Sequence, residues 1–205
     1  GMFDPPARVP WSKIPASVLD QPSHRTLARD VARESMVLLK NDRGVLPLAK
    51  NLRRIAVIGP NADQPTVLLG NYNGTPADPV TPLRGIREAA SHGTQVLYAR
   101  GANLADGIAG PDSASADSLL ADAVRVASRS DAVVLVLGLT GQLEGEEMGV
   151  HVAGFQGGDR TALDLPATQE RLLERIAALG KPAVLVLLNG SALSVNWAQA
   201  HLPAI

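Results

Sequence analysis

Four short, continuous aliphatic runs constrain this chain more than any other feature. They are RRIAVIG (53–59), TQVLYARG (94–101), DAVVLVLGLT (131–140) and PAVLVLLNG (182–190). A strand with one wet face alternates apolar and polar residues; these runs do not, so each needs cover on both faces. Between and before them lie stretches of helical periodicity. SHRTLARDVARESMVLLKN (23–41) puts Leu27, Val31 and Leu38 on one face, with Ser23 as the predicted N-cap. TPLRGIREAA (81–90) is a shorter helix, and DSLLADAVRVASRS (117–130) repeats Leu120, Val124 and Ala127 behind an Asp117 cap. ATQERLLERIAALG (167–180) turns Leu172, Ile176 and Leu179 inward and closes on Gly180 as C-cap. Apolar strands alternating with amphipathic helices predict an α/β fold: an open layered sandwich with a mostly parallel sheet flanked by helices.

Residues 1–22 carry Pro5, Pro6, Pro10, Pro15 and Pro22, which predicts an extended linker, and residues 23–205 form the sandwich domain. The chain reads as a piece of a longer one: it opens on GMFDPP, and WAQAHLPAI stops on apolar residues, which leaves the domain incomplete at that end. ADGIAGPDSASAD (105–117) is a mobile small-residue loop. A formal charge of −1 gives no basic field for nucleic acid or an anionic membrane. No apolar run approaches the roughly 18 residues of a membrane span, and the start is not a signal peptide. The absence of cysteine excludes disulfides and thiolate metal sites. Aromatic residues make up only 3%, so most of any sugar-stacking surface belongs to another segment.

Ligands of such sheets gather beyond the carboxyl ends of the strands. Three polar or glycine-rich segments leave strands there: GPNADQPTVLLGNYNGTP after the first, LTGQLEGEEMGVHVAGFQGGDRTALDLP (139–166) after the third, and NGSALSVNW after the fourth. None has a dinucleotide or P-loop glycine pattern, and no cofactor is implied. His24, His92, His151 and His201 are scattered, so no zinc triad is predicted. Glu144, Glu146, Glu147 and Asp159 are hard oxygen donors, but their spacing does not match a calcium loop. Ser191 sits on a post-strand turn with no histidine suggested by its context. Carboxylate chemistry remains. Glycoside hydrolysis needs one carboxylic acid to protonate the leaving oxygen and one carboxylate to attack or to activate water. Three glutamates close in sequence could crowd one another and favour a protonated form. On charge pattern alone, a solvated acidic loop is the simpler reading of 139–166.

Several motifs, in order, resemble the second domain of glycoside hydrolase family 3, the β-glucosidase and β-xylosidase family. GMFDPP is similar to the exit from the family's barrel domain, and ARESMVLLKNDRGVLPL to its interdomain helix and turn. IAVIGPNAD and LGNYNGTPADPVTPLRGI resemble its entry strand and following loop, and LEGEEMGVHVAGFQGGDRTALDLPATQERLL its acid/base loop and next helix. The resemblance implies a retaining exo-β-glycosidase. Its nucleophilic aspartate would lie in an upstream barrel of the same polypeptide, and the acid/base glutamate in this piece. By position that glutamate is Glu144, with Glu146 and Glu147 as fallbacks. Asp159 and Arg160 are expected to form an internal ion pair at the base of the loop. GNYNG is similar to the β-xylosidase branch, which favours xylosides over glucosides. The substrate would be a small oligosaccharide or aryl glycoside, the location periplasmic or extracellular, and this piece alone would be inactive. Oligomeric state is left open. A noncatalytic α/β module that binds carbohydrate or scaffolds a partner is the alternative.

Overall fold

A computed structural model describes residues 1–205. They fall into two compact units, Gly1–Leu38 and Leu39–Ile205. The first holds three short 3-10 turns, Pro6–Arg8, Pro10–Lys13 and Ala16–Val18, followed by helix α1, Pro22–Ser35. The proline-rich start is therefore turned at intervals rather than extended throughout. Pro6 and Pro10 open their turns because a fixed φ near −65° suits a first helical position. Helix α1 starts on Pro22 with Gln21 as cap, not on Ser23, for the same reason. Its Leu27 and Val31 are exposed, as is Leu38 beyond its end.

The second unit runs through β1 (Arg54–Ile58), α2 (Pro82–Ala89), β2 (Gln95–Ala99), α3 (Ala116–Ser128) and β3 (Ala132–Gly138). Three two-residue strands follow, β4 (His151–Val152), β5 (Phe155–Gln156) and β6 (Asp159–Arg160), then α4 (Ala167–Ala177), β7 (Ala183–Leu188) and α5 (Asn196–His201). Strands β2-β1-β3-β7, in that order, form an all-parallel sheet. Ala56, Ile58, Val133, Leu135, Leu137 and Leu185 point to one face, where Ala123 and Val126 of α3 and Leu172 and Ile176 of α4 cover them. Ile55, Val57, Val134 and Val136 point to the other, against Leu83 of α2. Successive strand residues thus meet apolar partners on both sides, which is why the runs lack alternation.

Residues 36–41 do not continue α1 as the periodicity predicts. Leu39 and Lys40 donate their N–H groups to the Ile205 carbonyl at 2.9 and 3.1 Å, and Asn41 bridges Ala204 in antiparallel fashion. An all-aliphatic MVLL suits helix and strand alike, and only its last residue, Leu39, shares in this bonding to Ile205. Side-chain caps also shift the predicted helix starts. Ser115 caps α3 by accepting from Ser118 N–H at 3.2 Å, while Asp117 sits in the first turn, where a negative charge suits the helix dipole. Gly180, at φ 66°, follows the end of α4 and donates its N–H to Ala177. No helix is long and apolar enough to cross a membrane.

Candidate active site

The carboxyl ends of β1, β3 and β7 are in register: Ile58 lies beside Leu135, and Gly138 beside Leu188. The segment leaving β3 is tied to both neighbours at once. Leu139 N–H donates to the Leu188 carbonyl at 2.7 Å. The Leu139 carbonyl accepts from Nδ2 of Asn61, a fully buried residue of the post-β1 loop, at 3.3 Å. The chain then closes a turn in which the Thr140 carbonyl accepts from Leu143 and Glu144 N–H at 2.9 and 3.1 Å.

Residues 139–166 are not a loose acidic loop. Leu139, Leu143 and Phe155 are buried together with Ala105 in a small core of their own. Above it, β4, β5 and β6 form an antiparallel meander. The turn between β5 and β6 uses Gly157 and Gly158, both at positive φ, which a tight two-residue hairpin requires. A Cβ on Gly158 would overlap the Gly145 carbonyl, so the meander rests directly on the glutamate turn.

The three glutamates have different surroundings. Glu144 is half-buried, and its carboxylate accepts from the backbone N–H groups of Ser191 (3.2 Å) and Gly190 (3.4 Å) in the post-β7 loop. Glu146 is exposed, and Tyr72 in the post-β1 loop donates its hydroxyl to it at 2.6 Å. That bond holds the Tyr72 phenol above its ordinary pKa. Glu147 is exposed at φ 50°. Together with Asp159 they form no metal-holding group.

Asp159 and Arg160 do not pair. They are neighbours on β6, so their side chains leave opposite faces of the strand. Arg160 instead donates to the Ala162 carbonyl (2.9 Å), the Asp164 carbonyl (3.0 Å) and Ser191 Oγ (3.2 Å), and its guanidinium lies 5.1 Å from the centre of the Phe155 ring. Arg160 and Glu144 thus grip the same residue, Ser191, from its side chain and its backbone. Neither Tyr72 nor Ser191 stood out as a partner of the acidic stretch in the sequence. The only signal was that both sit in turns leaving strands that flank β3.

A cleft of about 420 Å³ lined by Lys40, Arg43, Lys181 and His201 lies at the amino end of β7, away from these loops. None of Glu144, Tyr72, Arg160 and Ser191 lines that cleft.

Residues 36–205 match the model of the glycosyl hydrolase family 3 C-terminal domain. The chain belongs to glycosyl hydrolase family 3. A β-xylosidase of Formosa agariphila is 36% identical to this family 3 chain over 189 residues, covering 89% of the chain and 24% of the relative. A periplasmic β-glucosidase of Salmonella typhimurium is 38% identical over 196 residues, with the same coverage. Among solved structures, a β-glucosidase from Erythrobacter marinus superposes with a TM-score of 0.77 at 35% identity, over 91% of this chain and 26% of that one. A family 3 exo-β-xylosidase in complex with a xylobiose aziridine probe gives 0.78 at 29% identity, over 96% and 23%. The family 3 domain here spans about a quarter of the length of these relatives.

Proposed function

We propose that this domain supplies the general acid/base carboxyl group, Glu144, to a retaining β-glycosidase whose nucleophile lies in an upstream barrel domain of the same polypeptide. The observation that carries the reading is the anchoring of Glu144: its carboxylate is fixed by the Gly190 and Ser191 amides at the carboxyl edge of the sheet. Proton transfer needs a group held in place before the substrate arrives. In the first step Glu144 would donate its proton to the departing glycosidic oxygen as the barrel's carboxylate attacks the anomeric carbon. In the second it would take a proton from water. Retention places two such carboxyl groups about 5–5.5 Å apart. The uncovered Leu27 and Val31 on α1 fit a chain that works against another domain. By itself the domain would hydrolyse nothing measurable.

The relatives' names include both β-xylosidase and β-glucosidase. The GNYNG turn favours xylosides, and kcat/KM on matched aryl β-xyloside and β-glucoside decides between them. Glu146 is the second reading, favoured by its exposed carboxylate and its bond to Tyr72. Glu144→Ala and Glu146→Ala in the full-length enzyme separate the two. Loss of the acid/base lowers turnover of substrates with poor leaving groups about 10²- to 10⁴-fold. With an activated aryl glycoside, azide then restores turnover and yields the β-glycosyl azide. Rescue in Glu144→Ala is the expected result. Rescue confined to Glu146→Ala moves the role there, and rescue in neither defeats the proposal.

A further inference from the structure

The glutamate turn is held on two flanks. On one, Glu144 meets the post-β7 amides; on the other, Glu146 meets Tyr72. The second contact is built at a cost. Tyr72 is a non-glycine residue at φ 56°, a backbone region that persists only where the surroundings impose it. Its residue surface is 92% exposed, so burial of the ring does not hold it there. Its side-chain contact with the glutamate turn is the 2.6 Å bond from a neutral phenol to a carboxylate, short and charge-assisted. A phenol is protonated at neutral pH, so the donor is present. The backbones also meet: a Cβ on Gly141 would lie 3.3 Å from the Leu69 carbonyl, so the post-β1 loop and the glutamate turn touch at their bases as well.

We infer that Tyr72 is a positioning residue for the acid/base turn, its hydroxyl fixing the turn through Glu146 so that Glu144 meets the glycosidic oxygen in register. The inference rests on the assignment of acid/base chemistry to this turn. The phenol itself neither donates to nor receives from the substrate in this role. Its removal therefore impairs proton delivery and leaves sugar binding intact.

The test uses the full-length enzyme with Tyr72→Phe, Glu146→Ala and the double variant. Two glycosides of the same sugar are compared, one with an alkyl leaving group that needs a proton and one with dinitrophenolate, which does not. Tyr72→Phe is expected to lower kcat/KM on the alkyl glycoside about tenfold, through kcat rather than KM, with a much smaller change on the dinitrophenyl glycoside. In the double-mutant cycle, Tyr72→Phe is expected to add nothing once Glu146 is alanine. Wild-type behaviour of Tyr72→Phe, equal losses on both substrates, or additive effects in the cycle would each overturn the inference. Failure of the Glu144 assignment reads out separately, as absent azide rescue in Glu144→Ala, and leaves the Tyr72–Glu146 coupling to be judged by its own cycle.

Discussion

Gln169 of α4 and Gly138 at the end of β3 satisfy each other completely: the Gly138 N–H donates to Gln169 Oε1 at 2.8 Å, and Gln169 Nε2 donates to the Gly138 carbonyl at 2.8 Å. The same Nε2 reaches the Leu104 carbonyl at 2.7 Å, and the residue is fully buried. This amide pins the strand at the point where the glutamate turn departs. Gln169→Leu keeps the volume and strands buried backbone groups, so unfolding stability should fall by about 2–4 kcal/mol. Urea denaturation checks this; a change under about 1 kcal/mol contradicts it.

Gly138 and Gly59 are at φ 125° and 142°, where side chains are strained, and each lies against a neighbouring strand. A Cβ would overlap the Leu188 carbonyl oxygen in the first case and the Val136 carbonyl oxygen in the second. Alanine at either position should cost about 3 kcal/mol or more, because the obstacle is backbone and cannot turn aside. Gly149→Ala, where a Cβ meets nothing within 4 Å, is the control and should change the thermal midpoint little.

Arg160, not an Asp159–Arg160 pair, anchors the foot of the meander. Asp159→Asn should leave stability and activity near wild type. Arg160→Ala removes three hydrogen bonds and the contact with Phe155. It should cost about 1–3 kcal/mol of stability and, in the full-length enzyme, lower kcat/KM about tenfold. Equal effects of the two substitutions would restore the ion-pair reading.

Asp131 governs part of the acid response. Its carboxylate accepts from Arg54 N–H at 2.9 Å and Arg53 N–H at 2.8 Å, which holds its pKa below the usual carboxylate range. A group whose folded pKa is depressed stabilises fully above its unfolded value, near 3.9, and loses that contribution as pH falls through the folded value. Stability should therefore drop on acidification below about pH 4. Asp131→Asn should flatten that part of the profile, measured as thermal midpoint against pH.

The sheet was legible because its information is local. Runs such as AVVLVLG carry enough continuous apolar surface to predict strands with both faces buried, and each of the four main strands lies within its run. Partner choice was not local. Ser115 and Asp117 can both cap a helix, and the backbone reaching Ser118 selected the serine. Leu39, Lys40 and Asn41, at and after the end of the MVLL run, pair instead with Ala204 and Ile205, far along the chain. In the site, Glu144 was visible as an acidic residue after a strand. The Ser191 and Tyr72 that hold its turn come from the loops after two other strands, and no spacing within one segment records that.

The meander between Gly145 and Arg160 closes most of its hydrogen bonds on itself, with Gly157 N–H to the Val150 carbonyl and Thr161 N–H to the Gly154 carbonyl. Its foot, by contrast, is fixed by Arg160 and by the Gly145–Gly158 contact. Such an appendage is modular. Its hairpins could be lengthened or trimmed two residues at a time, keeping their pleat, without resetting the turn beneath them. Divergence in how far the domain reaches over a neighbouring surface would then proceed independently of the carboxyl group it carries.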